Sequence, residues 1–373
     1  MDEKIRVTWQ DLSVGRRLPW NVYAESGKLL LGVGHIIPNQ AMLDNMRQYV
    51  MYRDEIPESY LSESGGPGET SPFALMDELV SRLNGICKDI EAGEKNAGEN
   101  IVRLVKDLMN MCATEPDASI ATIHVPNKYS YSLYHSIQCA VICVLLGMKT
   151  KMPVKDLQML CAASLLANIS MLQLQNELFI RGGKASDEEQ QLIKSHPQRS
   201  VKMLQQAGLN NRMLLDIVLK HHERLDGSGY PSELKVDQIS PAAMMLAIAD
   251  RYGAMVTMRG GRKPIPVNES LKNFLVGAGT EYDQRLSLLL IKELTVFPPG
   301  SFVKLHNGET AIVIRRGRKN PMQPVVKSIE GVDGRRYSNP LLRDCSIHDY
   351  EITGVCSYDN SKPLNLNKIW DYV

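Results

Sequence analysis

From Pro72 to about Thr295 the apolar residues recur every three to four positions, in stretches such as FALMDELVSRLNGI, ENIVRLVKDLMNMC and SLYHSIQCAVICVLLG. That spacing gives each helix one apolar face, and its repetition predicts a large helical domain. After Phe297-Pro298-Pro299-Gly300 the period drops to two: SFVKL, TAIVIRR and PVVKSIE are separated by HNGE, GRKNP and DG, which are hairpin signals. Before the helices, IRVTW and LLLGV are β-like runs broken by Gly and Pro, with a helix-like piece from Asn39 to Tyr49. The fold class expected is mainly α: a helical bundle flanked by a small N-terminal α+β module and a small antiparallel β-barrel-like domain.

The boundaries follow from the same pattern. Residues 1–60 form the N-terminal module and 61–72 a linker, since SESGGPGETSP offers no large apolar side chain to bury. Residues 73–296 form the helical domain, 297–355 the β domain and 356–373 a loose tail, because SYDNSKPLNLNK has little to pack.

Charge narrows the functions. Lys+Arg number 43 and Asp+Glu 42, so a net charge of +1 offers no broad attraction to nucleic acid or an anionic membrane. With only 5 Phe and 3 Trp, stacking platforms for single-stranded nucleic acid are not expected either. The 7 cysteines are an odd number without C-x-x-C spacing and suit a reduced, cytoplasmic protein. The apolar stretch from Ile137 to Met148 falls short of the roughly 20 residues of a membrane span, and the N-terminus has no export pattern.

Candidate chemistry centres on His221-His222-Glu223-Arg224-Leu225-Asp226-Gly227-Ser228-Gly229-Tyr230-Pro231, which ends a helix and enters a Gly-rich turn. On a helix, adjacent residues project about 100° apart, so His221 and His222 are expected to face two neighbouring ions rather than chelate one. For an HH dipeptide alone, a solvated pair at a helix C-terminus is the simpler account. The whole run, however, resembles the signature of the HD-GYP family of bacterial proteins, whose active members hydrolyse cyclic di-GMP, with eight of eleven residues the specified ones.

The resemblance extends over about residues 120–265. Tyr131-x3-His135-Ser136 matches the first metal-binding helix, with Tyr131 where members can carry Glu; Ser195-His196-Pro197 and Ile248-Ala249-Asp250-x-Tyr252 match two further ligand segments. It implies that His135, His196, His221, His222 and Asp250 are a partial metal site, suited to iron, manganese or another divalent transition metal. It also implies that Arg259 and Arg262, nine and twelve residues after Asp250, hold the dinucleotide's phosphates. Gly260 and Gly261 replace the family's Pro-Tyr between them. The turn Gly229-Tyr230-Pro231 would line the ligand and contact a diguanylate cyclase domain or another signalling protein.

The departure is at Leu165-Leu166-Ala167-Asn168-Ile169-Ser170-Met171, where the family has Leu-Leu-His-Asp-Ile-Gly-Lys. Ala167 supplies no ligand atom, Asn168 a neutral oxygen in place of a bridging carboxylate, and Met171 no charge. No catalytic position is intact. Two ions bring roughly +4, and Asp250 alone supplies an anionic ligand, so one ion or none is expected.

The reading is therefore a degenerate member of cyclic di-GMP signalling, binding the dinucleotide or a partner with little or no hydrolysis. An active phosphodiesterase with an unusual metal site, and a purely structural protein, are the alternatives. Other candidates read as structural or solvated: His35 and His348 stand alone, and His124 and His306 fall in turn or strand contexts. Arg315, Arg316 and Arg318 lie in a polar hairpin, and Gly182-Gly183-Lys184 precedes a helix capped by Ser186 and Glu189.

Overall fold

A computed structural model describes residues 5–7, 12, 22–26, 28–31, 37, 40–46, 50–53, 71–94, 96–257, 265–317, 320–358 and 364–372. Strands β1 (Ile5–Arg6), β2 (Val22–Ala24) and β3 (Leu29–Leu31), helix α1 (Gln40–Met46) and strand β4 (Met51–Arg53) make the N-terminal module. Its antiparallel sheet runs β1-β4-β2-β3 over a separate apolar core that includes Val22, Ile37 and Met51.

The helical region holds α2 (Pro72–Glu91), α3 (Ala97–Thr114), α4 (Pro116–His124), α5 (Tyr131–Lys149), α6 (Val154–Leu166), α7 (Leu172–Arg181), α8 (Asp187–Gln206), α9 (Arg212–Lys220), α10 (Pro241–Val256), α11 (Val267–Gly277) and α12 (Gln284–Leu294). Helix α5 is its axis: α3, α6, α10 and others pack around it, and every residue from Tyr131 to Gly147 is buried. An all-round apolar sequence suits a fully surrounded helix. By length and hydropathy α5 resembles a membrane span, but 94% of that window is buried inside the domain. Polar side chains on such a helix must be matched by partners, which makes His135 and Gln138 informative positions.

Strands β5 (Phe302–Leu305), β6 (Thr310–Arg315), β7 (Val325–Glu330), β8 (Arg336–Asp344) and β9 (Ile352–Val355) form an antiparallel sheet in the order β8-β7-β6-β5-β9. The expected barrel is an open sheet among the described residues. Along β6, Ala311 and Val313 face one apolar cluster with Val303 and Leu305, while Ile312 and Ile314 face another with Val125 of the helical region and Ile369. Both faces are covered, so the sheet buries its strands without closing on itself.

Three sequence expectations change. The tail carries helix α13 (Leu366–Ile369): Ile369 is buried, Trp370 packs on Phe73 at 4.7 Å, and the Ser71 hydroxyl donates to Asn367 Oδ1 at 2.5 Å. The apolar residues that anchor it lie at the end of a polar run, which hid them. Arg316 is half-buried and paired with Asp117 and Glu293, joining the sheet to α4 and α12. His124 ends helix α4; its Nδ1 lies 3.1 Å from the Pro299 carbonyl, and its Nε2 accepts from the Tyr252 hydroxyl at 2.8 Å. These contacts join three sequence-distant elements, which local pattern cannot foresee.

Candidate metal centre and ligand cavity

The histidines converge because α5, α8, the end of α9 and α10 pack side by side. On α5, His135 is buried and its Nε2 donates to Asp250 Oδ1 on α10 at 2.8 Å. Gly253, one turn after Asp250, makes room for the ring: a Cβ there would stand 3.2 Å from His135 Nδ1. On its other side the ring stacks on Tyr131 at 5.4 Å, and Tyr131 stacks in turn on Phe179 of α7 at 4.9 Å.

His196 lies inside α8 and His221 caps α9. A carbonyl can only accept, so His196 Nδ1 donates to Ile193 O at 2.6 Å and His221 Nδ1 to Val218 O at 2.7 Å. Both Nε2 atoms are left facing one another at 3.2 Å. Burial, then the neighbouring His221, pushes His196 down to about 3; burial likewise lowers His221 and, more strongly, His222. Burial thus favours the neutral rings, and the Nε2 lone pairs of His196 and His221 face one another, which is the state a metal requires.

His222 corrects the expectation of two divergent imidazoles. Helix α9 stops at Lys220, so the helical spacing does not hold across the pair, and the His221 and His222 ring centres are only 4.1 Å apart. Ligand atoms of His196, His221 and His222 lie within 4.8 Å of one another, as do those of His135, Cys139 and Asp250. His222 Nδ1 stands 3.9 Å from Asp250 Oδ2 and links the two groups. Burial alone would raise the Asp250 carboxyl, but the hydrogen bond from His135 and the surrounding histidines outweigh it and hold it well below the usual range. All five predicted ligand-type residues are thus brought together. Cys139, one turn after His135, carries no ligand assignment from the sequence; burial pushes its thiol well above the ordinary value and keeps it neutral.

The donor set fits one divalent ion on imidazole nitrogens with Asp250 nearby. It does not supply a second carboxylate. Asn168 follows α6 in a short bend, 2% exposed, and its Oδ1 has no hydrogen-bond partner; Ala167 beside it is equally buried.

The turn after His222 is held by its own residues. Glu223 is buried and its carboxylate accepts from Ser232 N at 2.7 Å and Leu234 N at 2.9 Å, so it staples the loop. Asp226 accepts from the Ser228 amide and hydroxyl. Gly229 is obligatory, because a Cβ would stand 2.4 Å from Arg224 N and 2.6 Å from His222 O. Tyr230 then stacks on His222 at 4.6 Å.

Above the histidines opens a cavity of about 530 Å³. Tyr230, His222, Asp250, Arg224 and Arg251 line one side; Met171 and the α7 residues Leu174, Gln175, Leu178 and Phe179 line another. Gly182 and Gly183 also border it, although the capping box of Ser186 and Glu189 beyond them forms as expected. Arg259 and Arg262 lie outside the described residues. Sequence reasoning passed over Gln175, Arg224 and Arg251; a count of polar residues flanking the matched segments was the available signal.

The sequence matches the HD-domain family over residues 109–286. The helical domain is an HD domain with HD-GYP relatives. A cyclic di-GMP phosphodiesterase of Pseudomonas aeruginosa is 25% identical over 253 residues, 68% of this chain and 61% of the relative. The cyclic di-GMP phosphodiesterase PdeB of Borreliella burgdorferi is 26% identical over 200 residues, 54% of this chain and 52% of the relative. The chain therefore spans between half and two thirds of these relatives' lengths. Among solved structures, an HDG"Y"P protein from Bdellovibrio bacteriovorus aligns with a TM-score of 0.51 at 17% identity, covering 78% of this chain and 99% of that one, which shows a shared fold.

Proposed function

We propose that this HD-GYP protein works in bacterial cyclic di-GMP signalling in the cytoplasm, binding the dinucleotide and hydrolysing it little or not at all. One observation carries the reading: Asn168, with an unpartnered amide oxygen, stands in the family's bridging-carboxylate position, and Ala167 beside it offers no donor. Hydrolysis by a metal pair needs a shared anionic ligand and a water held between two ions. Asp250 alone cannot balance that charge.

The retained parts support binding. The imidazole cluster suits a single iron or manganese ion, which when bound would attract a phosphodiester oxygen. Tyr230 of the intact Gly229-Tyr230-Pro231 turn borders the cavity, and the turn forms a surface for a diguanylate cyclase domain or another signalling partner. Arg259 and Arg262 are assigned to the phosphates by their offsets from Asp250.

The test is an equilibrium titration of cyclic di-GMP, with and without manganese, into the full chain and its Arg259→Ala variant. The reading expects saturable binding that weakens about tenfold to a hundredfold in the variant. No binding at millimolar nucleotide under either condition would leave a structural or assembly role in its place.

A further inference from the structure

Helix α7 is unusual in this domain. None of its residues is fully buried, although Leu172, Leu174, Leu178, Phe179 and Ile180 are apolar. Leu174, Leu178 and Phe179 turn instead to the cavity, where Met171 and Ile193 extend the same surface. An apolar wall open to a cavity of about 530 Å³ lies within the range of small-ligand sites, which are mostly apolar with a few placed polar groups.

One such polar group sits in this wall. Gln175 Oε1 is shielded from solvent, lines the cavity and has no hydrogen-bond partner. A shielded amide oxygen left alone is costly in the empty protein and is satisfied by a ligand that donates to it. The opposite side differs in character. Arg224 is tethered to Glu281 at 3.2 Å, while Arg251, exposed and bordering the cavity, has no carboxylate partner among the described residues.

We propose that the cavity is a divided nucleotide site, resting on the cyclic di-GMP reading above. A purine lies on Leu174, Leu178 and Phe179 and donates from its base edge to Gln175, while Arg251 and Arg224 take the phosphodiester. The two walls match the two halves of a nucleotide, one flat and apolar with edge donors, the other anionic. This makes Gln175 a base-reading residue, and Arg251 a phosphate contact additional to Arg259 and Arg262.

The experiment is calorimetric titration of cyclic di-GMP into wild type, Gln175→Leu and Arg251→Ala, with melting temperatures of the ligand-free proteins. Leu has a similar volume and removes the lone acceptor. Gln175→Leu is expected to weaken binding about fivefold to fiftyfold while its ligand-free melting temperature holds or rises. Arg251→Ala is expected to weaken binding at least about tenfold. Wild-type binding with Gln175→Leu within twofold of it overturns the base subsite and leaves the cyclic di-GMP reading standing. Weakened binding together with a lowered ligand-free melting temperature makes Gln175 a structural residue and also overturns the proposal. Failure of wild type to bind removes both.

Discussion

His196 and His221 point their Nε2 atoms at each other across 3.2 Å, each ring donating a hydrogen bond from Nδ1–H to a carbonyl of the preceding helical turn. Two neutral imidazoles in this arrangement set lone pair against lone pair, and a cation between or beside them relieves the contact.

Metal content follows from that geometry. Elemental analysis of purified protein is expected to find no more than one tightly held transition-metal ion per chain, because Asp250 is the one carboxylate in the ligand groups found among the described residues. His221→Ala should lower metal affinity about a hundredfold or more. Two tight ions per chain would show that another residue supplies the bridge.

Asn168→Asp places a carboxylate at the position proposed for the bridge. Without metal, the new charge is buried at a site that is 2% exposed, and the variant should be about 2 to 4 kcal/mol less stable than wild type by thermal or denaturant unfolding. Manganese should recover that loss, and the double variant Ala167→His with Asn168→Asp should bind metal more tightly still. A melting temperature indifferent to manganese would place residue 168 away from the ion.

The pH dependence of stability has a component outside the metal cluster. Burial lowers His124 from its ordinary 6.5 to about 4, so the unfolded chain takes up a proton that the folded chain refuses. The stability it supports is complete above about pH 6.5 and is lost as pH falls toward 4. His124→Gln should flatten this decline by up to about 3 kcal/mol. An identical slope in the variant would remove His124 from the account.

Arg316 ties the sheet to the helical domain through Asp117 and Glu293. Arg316→Leu leaves Asp117 without its cation and the buried Glu293 with only the more distant Lys149 at 3.7 Å, and should cost about 3 to 5 kcal/mol in unfolding experiments. A loss below about 1 kcal/mol would mean that water reaches these groups freely.

What the sequence made legible was set by the range of each interaction. Helices α2, α3 and α5 and strands β5, β6 and β7 were visible because their periods are local. The five ligand-type residues were visible through motif spacing, and the structure gathers all of them. Three things stayed hidden. The His221-His222 geometry depends on α9 ending at Lys220, one residue before the pair. The pairing of Arg316 and the contacts of His124 join elements more than 100 residues apart. The cavity side of α7 depends on which neighbour fails to cover it, and Leu174 or Gln175 looks the same in sequence whether it faces core, cavity or solvent.

The central claim is binding without turnover, and one assay addresses both halves. Protein loaded with manganese is incubated with excess cyclic di-GMP, the complex is isolated, and intact and cleaved nucleotide are quantified by chromatography over time. The account predicts intact cyclic di-GMP held by the protein, with cleavage far below the roughly 1 to 1,000 per second of ordinary enzymes. Cleavage at ordinary phosphodiesterase rates would contradict it and make this an active enzyme with a metal site built differently from its relatives.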